Sequence, residues 1–454
     1  MDDLFDDVPT KEDGEKRLNA DMPPSKTPKS HKKIRAVTAI LLAAACFVLG
    51  GLTVWFSLDS ELRTLVKVKQ AIQKYYYQDV DDETFYETVF DGINHEILDA
   101  YSRYMTADEY RDEQSSLAGK RIGIGLVFDT LDSEKRPQML VVRVCENSPA
   151  QQAGLREGDR IVAFGKEEGA LTESEVFADF SAFLTTMTES ESFYIRVKRG
   201  EEYLTLTLVR EAYVEGYVLY RSSTTSYGFT GAKAEAWTET KTPLDCLDED
   251  TAYIRLIQFG DGTGKQFAKA MSQFKADGKK NLVLDLRDNG GGYLDTMQEI
   301  AGYFCKNSTE KKPIVAVAKY KDDDEIFKAD SNVYGEYFSA DSRIYVLADD
   351  GTASASECLI GVLVDYGATA FSDICLIERN GVAKTYGKGI MQTTYYLGLK
   401  MDAVKLTTAE LHWPVSGKSI HGRGVLVEDG AKSIPTSGYG DTEIALALTT
   451  LKNN

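Results

Sequence analysis

Residues 281–292 read NLVLDLRDNGGG, and residues 344–357 read IYVLADDGTASASE. Each is an apolar run that ends at aspartates, crosses a glycine-bearing turn and leads into a second apolar segment. Short apolar runs of this kind fit strands. The spacing predicts helices over 293–305 and 355–365. Working outward, 252–258, 314–317 and the runs at 281–286 and 344–347 read as strands, and 264–276 as a helix. That alternation predicts α/β layering with part of the sheet parallel.

A strand–turn–helix junction aims unpaired backbone N–H groups at whatever lies before the helix. Phosphate is the first ligand to exclude. Neither turn carries G-x-x-x-x-G-K-[ST] or G-x-G-x-x-G, and GDGTGKQ at 260–266 fails the first pattern at its end. The remaining use is an oxyanion hole beside a nucleophilic serine.

Such a serine needs a base. The chain has only four histidines: His31, His95, His412 and His421. The last two remain formal candidates for a triad. A lysine is the other option, provided that burial keeps its amine neutral. Lys388, in YGKGIMQ at 386–392, is followed by an apolar stretch. A lysine between two glycines also reads as a solvated turn.

Composition bounds the rest. The 454 residues carry 52 Lys+Arg against 71 Asp+Glu, a formal charge of −19. Strong acidity argues against nucleic-acid binding, which needs clustered bases. Six cysteines without a C-x-x-C pair exclude a disulfide scaffold and a zinc ribbon. Residues 1–35 hold eight acids and eight bases with four prolines, and read as a disordered tail. Residues 36–58 form an uncharged run of 23, enough to span a bilayer as a helix. Bases precede it and acids follow, so the positive-inside rule predicts a cytoplasmic N-terminus and an extracytoplasmic remainder. A cleaved or lipoprotein signal fits less well, because the run is long and no small-x-small site follows it. Residues 59–118 show helical periodicity, with Asp81 as a cap. Phe193–Arg199 and Tyr203–Val209 read as a hairpin around Gly200, while 213–250, rich in Tyr and Thr, cannot be placed.

Residues 119–212 resemble a PDZ domain. The matching residues are Gly123-Ile124-Gly125-Leu126, Ser148-Pro149-Ala150 and AGLREGDRI at 153–161. The resemblance implies capture of a peptide C-terminus as an added strand, its carboxylate received by the amides of residues 123–126. Taken alone, Gly123 and Gly125 read as a bent strand or bulge.

From about residue 65 onward the chain is similar to the carboxyl-terminal processing peptidases, the tail-specific protease family. The motifs run in order: LDAYSRYM at 98–105, AYIRL at 252–256, the turn at 285–292, ASASE at 353–357, DYG at 365–367, Gly387-Lys388-Gly389 with Gln392, and SGKSIHGRGV at 416–425. The resemblance implies a mixed α/β, crotonase-like peptidase core over 213–454, behind the tail (1–35), a transmembrane helix (36–58), a helical region (59–118) and the PDZ domain (119–212). It implies Ser354 as nucleophile, Lys388 as general base, Gln392 as the residue orienting the lysine, and Ala355 and Gly291 as oxyanion donors, without metal or cofactor. Substrates would be proteins with accessible C-terminal tails, and a homodimer is a further expectation. His421 falls where the family uses no base. Thr352 stands where the family has Ser, Gly290 where it has Pro, and the stretch around 374–384 reads as an insertion. The rival class is an inactive PDZ-bearing membrane scaffold.

Overall fold

The structure, a computed structural model, describes residues 30–132, 134–240, 242–379, 381–398, 401–435 and 440–452. Most of the expected tail, through residue 29, lies outside the described residues. The chain divides into two compact units at Val89/Phe90.

In the first unit a helix covers Ser30–Ser57. Its Thr38–Ser57 portion, 20 residues, is long and apolar enough to cross a membrane. The helix Ser60–Tyr75 follows, and Asp82–Gly92 begins after Asp81, whose Oδ1 accepts the Thr84 N–H at 2.8 Å as the cap reading requires. Lys69 and Gln73 both bond Asp82, at 3.0 and 2.7 Å, joining the two helices.

The second unit contains two packed bodies. In the PDZ-like body, five strands run Leu126–Leu131, Pro137–Val144, Arg160–Gly165, Ser192–Arg199 and Glu202–Val209 in spatial order, and Thr172–Glu173 pairs with the third. Ser148 caps the short helix Pro149–Gln152, accepting from Gln151 N at 3.2 Å. The helix Phe177–Thr185 buries Phe180 against Phe164 and Phe193 in this body's own core.

The larger body is built on an eight-stranded sheet. Five neighbouring strands are parallel: Thr251–Leu256, Asn281–Asp285, Ile344–Ala348, Ile374–Glu378 and Lys432–Pro435. Alternate residues face opposite ways along a strand. Ile254, Leu284, Val346 and Leu376 meet the helices Thr263–Ala276, Leu294–Ala301 and Ala355–Asp365 in one core. Tyr253, Val283, Leu347 and Ile377 meet the helix Asp441–Lys452 in another. Burial on both faces is why these strands read as continuous apolar runs.

Several expectations are corrected here. The unplaced segment 213–250 supplies Val218–Arg221, Ser226–Thr230 and Ala236–Thr240, which extend the same sheet antiparallel. Residues 374–378, read as the start of an insertion, form an interior strand whose Ile374, Cys375, Leu376 and Ile377 are fully buried. The region 59–118 is not wholly helical. Arg103–Met105 is a strand paired with Asp402–His412. That pairing belongs to a second, five-stranded sheet with Ile314–Lys319, Asp324–Lys328 and Ile390–Leu397. The helix predicted over 293–305 is shorter, Leu294–Ala301.

Candidate active site

Ser354 sits immediately before the helix Ala355–Asp365 at φ 58°, ψ −117°. A non-glycine residue in that region is strained by about 1–3 kcal/mol and needs its surroundings to hold it. Glu357 does so from one turn into the helix, where its Oε2 accepts the Ser354 N–H at 3.0 Å. The same carboxylate, fully buried, accepts the N–H groups of Gly387 and Lys388 at 2.9 Å each and the Thr385 hydroxyl at 2.5 Å. Burial raises its pKa, opposed by those four donors. One side chain therefore ties the Ser354 turn to the Lys388 segment.

The glycine turn is locked against the serine turn through Asn289. Its carbonyl accepts Ala353 N–H at 3.0 Å and the Ser356 hydroxyl at 2.8 Å, which fixes Ser356 as a structural group. Its side-chain Nδ2 donates to Leu256 O at 2.7 Å. Its Oδ1 accepts the Gly291 N–H at 3.0 Å. That bond corrects the expectation for Gly291: its amide is taken by the turn itself and is not free for an oxyanion. Among the described residues the amides of Ala355, Gly290 and Gly292 have no hydrogen-bond partner. Gly291 has a different requirement. At φ 98°, a Cβ there would stand 2.8 Å from Ser354 Cβ and 3.0 Å from Ala355 N. Gly291→Ala is expected to lower kcat about 10²–10³-fold by disrupting the oxyanion site, with KM changed less. Cleavage kinetics on the folded variant check this, and an unchanged kcat would remove the turn from the site.

Lys388 lies in a segment where backbones touch. A Cβ at Gly387 would come 2.9 Å from Gly424 N, and one at Gly389 would come 2.7 Å from His421 N. The two glycines therefore serve packing and not a solvated turn. The amine Nζ donates to Gln392 Oε1 at 2.8 Å and stands 5.3 Å from the centre of the Tyr101 ring. Gln392 Nε2 in turn donates to Tyr101 O. Burial lowers the Lys388 pKa, and the nearby Lys405 charge lowers it further. Ser354, Ala355, Gly290, Gly291, Gly292, Lys388 and Gln392 all line one cleft of about 590 Å³. Among the described residues no hydrogen bond joins the Ser354 hydroxyl to Lys388; catalytic bonds are often long until substrate binds.

The histidines stand apart. His412 Nδ1 meets Gly417 O at 2.9 Å, His421 packs its ring 6.3 Å from Tyr101, and neither lines the cleft. The PDZ loop 123–126 also lies outside the cleft lining. Ile124 is buried with its carbonyl accepting Ala150 N–H at 2.9 Å. A Cβ at Gly125 would collide with Ser148 Cβ at 2.2 Å. Beyond the loop, Leu126–Leu131 is an edge strand, and Phe128 packs on Phe177 and Phe180 of the facing helix.

Glu357 had a legible signal, since S-x-x-E is the capping-box spacing. Tyr101 lies within the LDAYSRYM motif, whereas Glu113 and Lys405, which share the cleft with Lys388, had no signal in their local sequence.

Residues 250–428 match the model of peptidase family S41, and residues 140–178 match the PDZ domain. Fold and sequence thus define a core of the peptidase S41 type that carries a PDZ domain. Curated relatives that the chain resembles are CtpA-like serine proteases, and it spans less than two thirds of the length of the first of them. A probable CtpA-like serine protease of Staphylococcus aureus (strain COL) is 27% identical over 369 residues, covering 81% of this chain and 64% of that protein. One from Staphylococcus haemolyticus (strain JCSC1435) is 24% identical over 428 residues, covering 90% and 76%. A putative S41 protease from Bacteroides fragilis NCTC 9343 shares the fold at a TM-score of 0.53 and 16% identity, covering 83% of this chain and 90% of that one.

Proposed function

We propose that the chain is a membrane-anchored, ATP-independent serine endopeptidase that trims proteins from their C-terminal tails. The observation that carries this reading is a strained Ser354 sharing a cleft with the half-buried Lys388 amine, which Gln392 orients at 2.8 Å. The neutral amine takes the Ser354 proton as Oγ attacks the scissile carbonyl. The negative charge that develops on the carbonyl oxygen is met by the Ala355 amide and by Gly290 or Gly292, at about 3 kcal/mol per donor. Lys388 then hands its proton to the leaving amine, and water hydrolyses the acyl-enzyme by the same base. The PDZ domain holds the substrate tail as a strand added to the free edge Leu126–Leu131, with the carboxylate at residues 123–126. The apolar helix anchors the chain, with its N-terminus cytoplasmic.

A fluorophosphonate probe tests the reading. It should label Ser354 in the full-length chain, with labelling rising with pH as Lys388 loses its proton. Because burial lowers the Lys388 pKa, the acid limb falls below that of an ordinary lysine, near pH 10.4. Absence of labelling at any pH favours the inactive scaffold.

A further inference from the structure

The cleft holds a second lysine. Lys405 lies on Asp402–His412 opposite Thr394 of Ile390–Leu397, and Gln392 pairs with Thr407. Gln392 and Thr394 are two apart on one strand and share a face, as do Lys405 and Thr407. Lys405 is therefore the diagonal neighbour of the glutamine that holds the Lys388 amine. Its ammonium is gripped by both oxygens of Glu113, at 2.8 and 2.9 Å, from the helix Ala107–Leu117. Glu113 also takes Arg103 at 2.7 Å. Glu113, Lys405, Lys388 and Gln392 all line the cleft.

One carboxylate thus serves two cations, so Glu113 only partly offsets the Lys405 charge beside Lys388. We propose that Lys405, positioned by Glu113, is a tuning residue that holds Lys388 as the unprotonated amine the serine needs. A further proton on Lys388 would meet that charge in a half-buried cleft, where repulsion is poorly screened. The other groups around Lys388 are fewer in effect. Asp99 favours its charged form, but its carboxylate is engaged by the Tyr101 and Ser102 amides at 2.9 and 2.7 Å. Glu357 faces the backbone N–H of Lys388 and not its amine. Tyr101 presents its ring face, with Tyr386 and His421 packed on that ring.

The inference rests on Lys388 being the base, and its signature is two opposite shifts. The test is the pH dependence of fluorophosphonate labelling and of kcat/KM for β-casein, with the full-length chain. Lys405→Met removes the cation and leaves Glu113 with Arg103, so the acid limb should move up by about one pH unit. Glu113→Gln frees the cation and removes an anion, so the limb should move down by a similar amount. The double variant should return toward the wild type, and Lys405→Arg should leave the limb in place while keeping the ion pair. Shifts in the same direction, or none in folded variants, overturn the proposal. Should Lys405→Met not fold, Glu113→Gln against Lys405→Arg still decides it. Failure of the serine/lysine reading itself shows separately, as absence of Ser354-dependent labelling in the wild type.

Discussion

Ser354→Ala and Lys388→Ala in the full-length chain are each expected to lower cleavage of an unfolded protein at least about 10⁴-fold, with the protein still folded. In the proposed mechanism the two side chains act on one proton. Removing either leaves only binding and the oxyanion amides, so the double variant should be no slower than the worse single one. Lys388→Arg should be as inactive as Lys388→Ala, because a guanidinium is never neutral in the working range. His421→Ala should keep most of its activity, since that ring does not line the cleft. Mass-spectrometric timing of substrate shortening, with thermal unfolding as the folding control, measures all five. Retained proteolysis in folded Ser354→Ala or Lys388→Ala would sink the mechanism, and loss confined to His421→Ala would move the base to histidine.

The second large effect is on stability. Arg287 is almost fully buried and lies between two fully buried carboxylates. Its Nε donates to Asp285 at 2.9 and 3.0 Å, and its Nη1 pairs with Glu443. The Tyr253 hydroxyl donates to Asp285 at 2.5 Å. Burial alone would raise the Asp285 carboxyl, but Arg287 beside it outweighs this and holds it at about 2. Arg287→Ala leaves Asp285 without its hydrogen-bonded cation, with only the more distant influence of Arg255 remaining. The expected cost is about 3–5 kcal/mol, because an uncompensated buried charge is left behind. For a domain of this size that corresponds to a drop of about 10 °C in Tm. The pH dependence has a definite sign. The folded pKa lies below the unfolded value near 3.9. The stabilisation is therefore fully present above about pH 4 and lost as pH falls through 2. In the variant the carboxyl protonates more readily, so the gap between variant and wild type should narrow on acidification. Calorimetry at pH 7 and pH 4 reads this, and a Tm unchanged at both would mean that the group does not support the glycine turn.

Much of the fold was readable because its strands are buried on both faces. LVLDL and IYVLA have no solvent side to interrupt them with polar residues, so they stand out as apolar runs. The extension 218–240 did not, because its strands mix Tyr, Thr and Glu, with Trp237 and Glu239 only partly or not at all buried. The run at 374–378 was misplaced for a different reason. Its burial comes from neighbours 28 residues before it and 57 after it, Val346 and Lys432.

At the site, sequence offered the candidate groups in order, and the family resemblance singled them out: a serine after a glycine turn, a lysine between glycines, a glutamine four residues on. These are local patterns, set by which residues a turn or a strand tolerates. Tertiary structure decided what those groups can do. It assigned the Gly291 amide to Asn289, because the turn folds back on itself. It brought Glu357 to the Ser354 and Lys388 segments at once. It placed Lys405 and Glu113, 292 residues apart, beside the lysine amine. Protonation depends on burial and on charges within a few ångströms. Those distances are fixed when separate segments pack together, and no local stretch of sequence contains them.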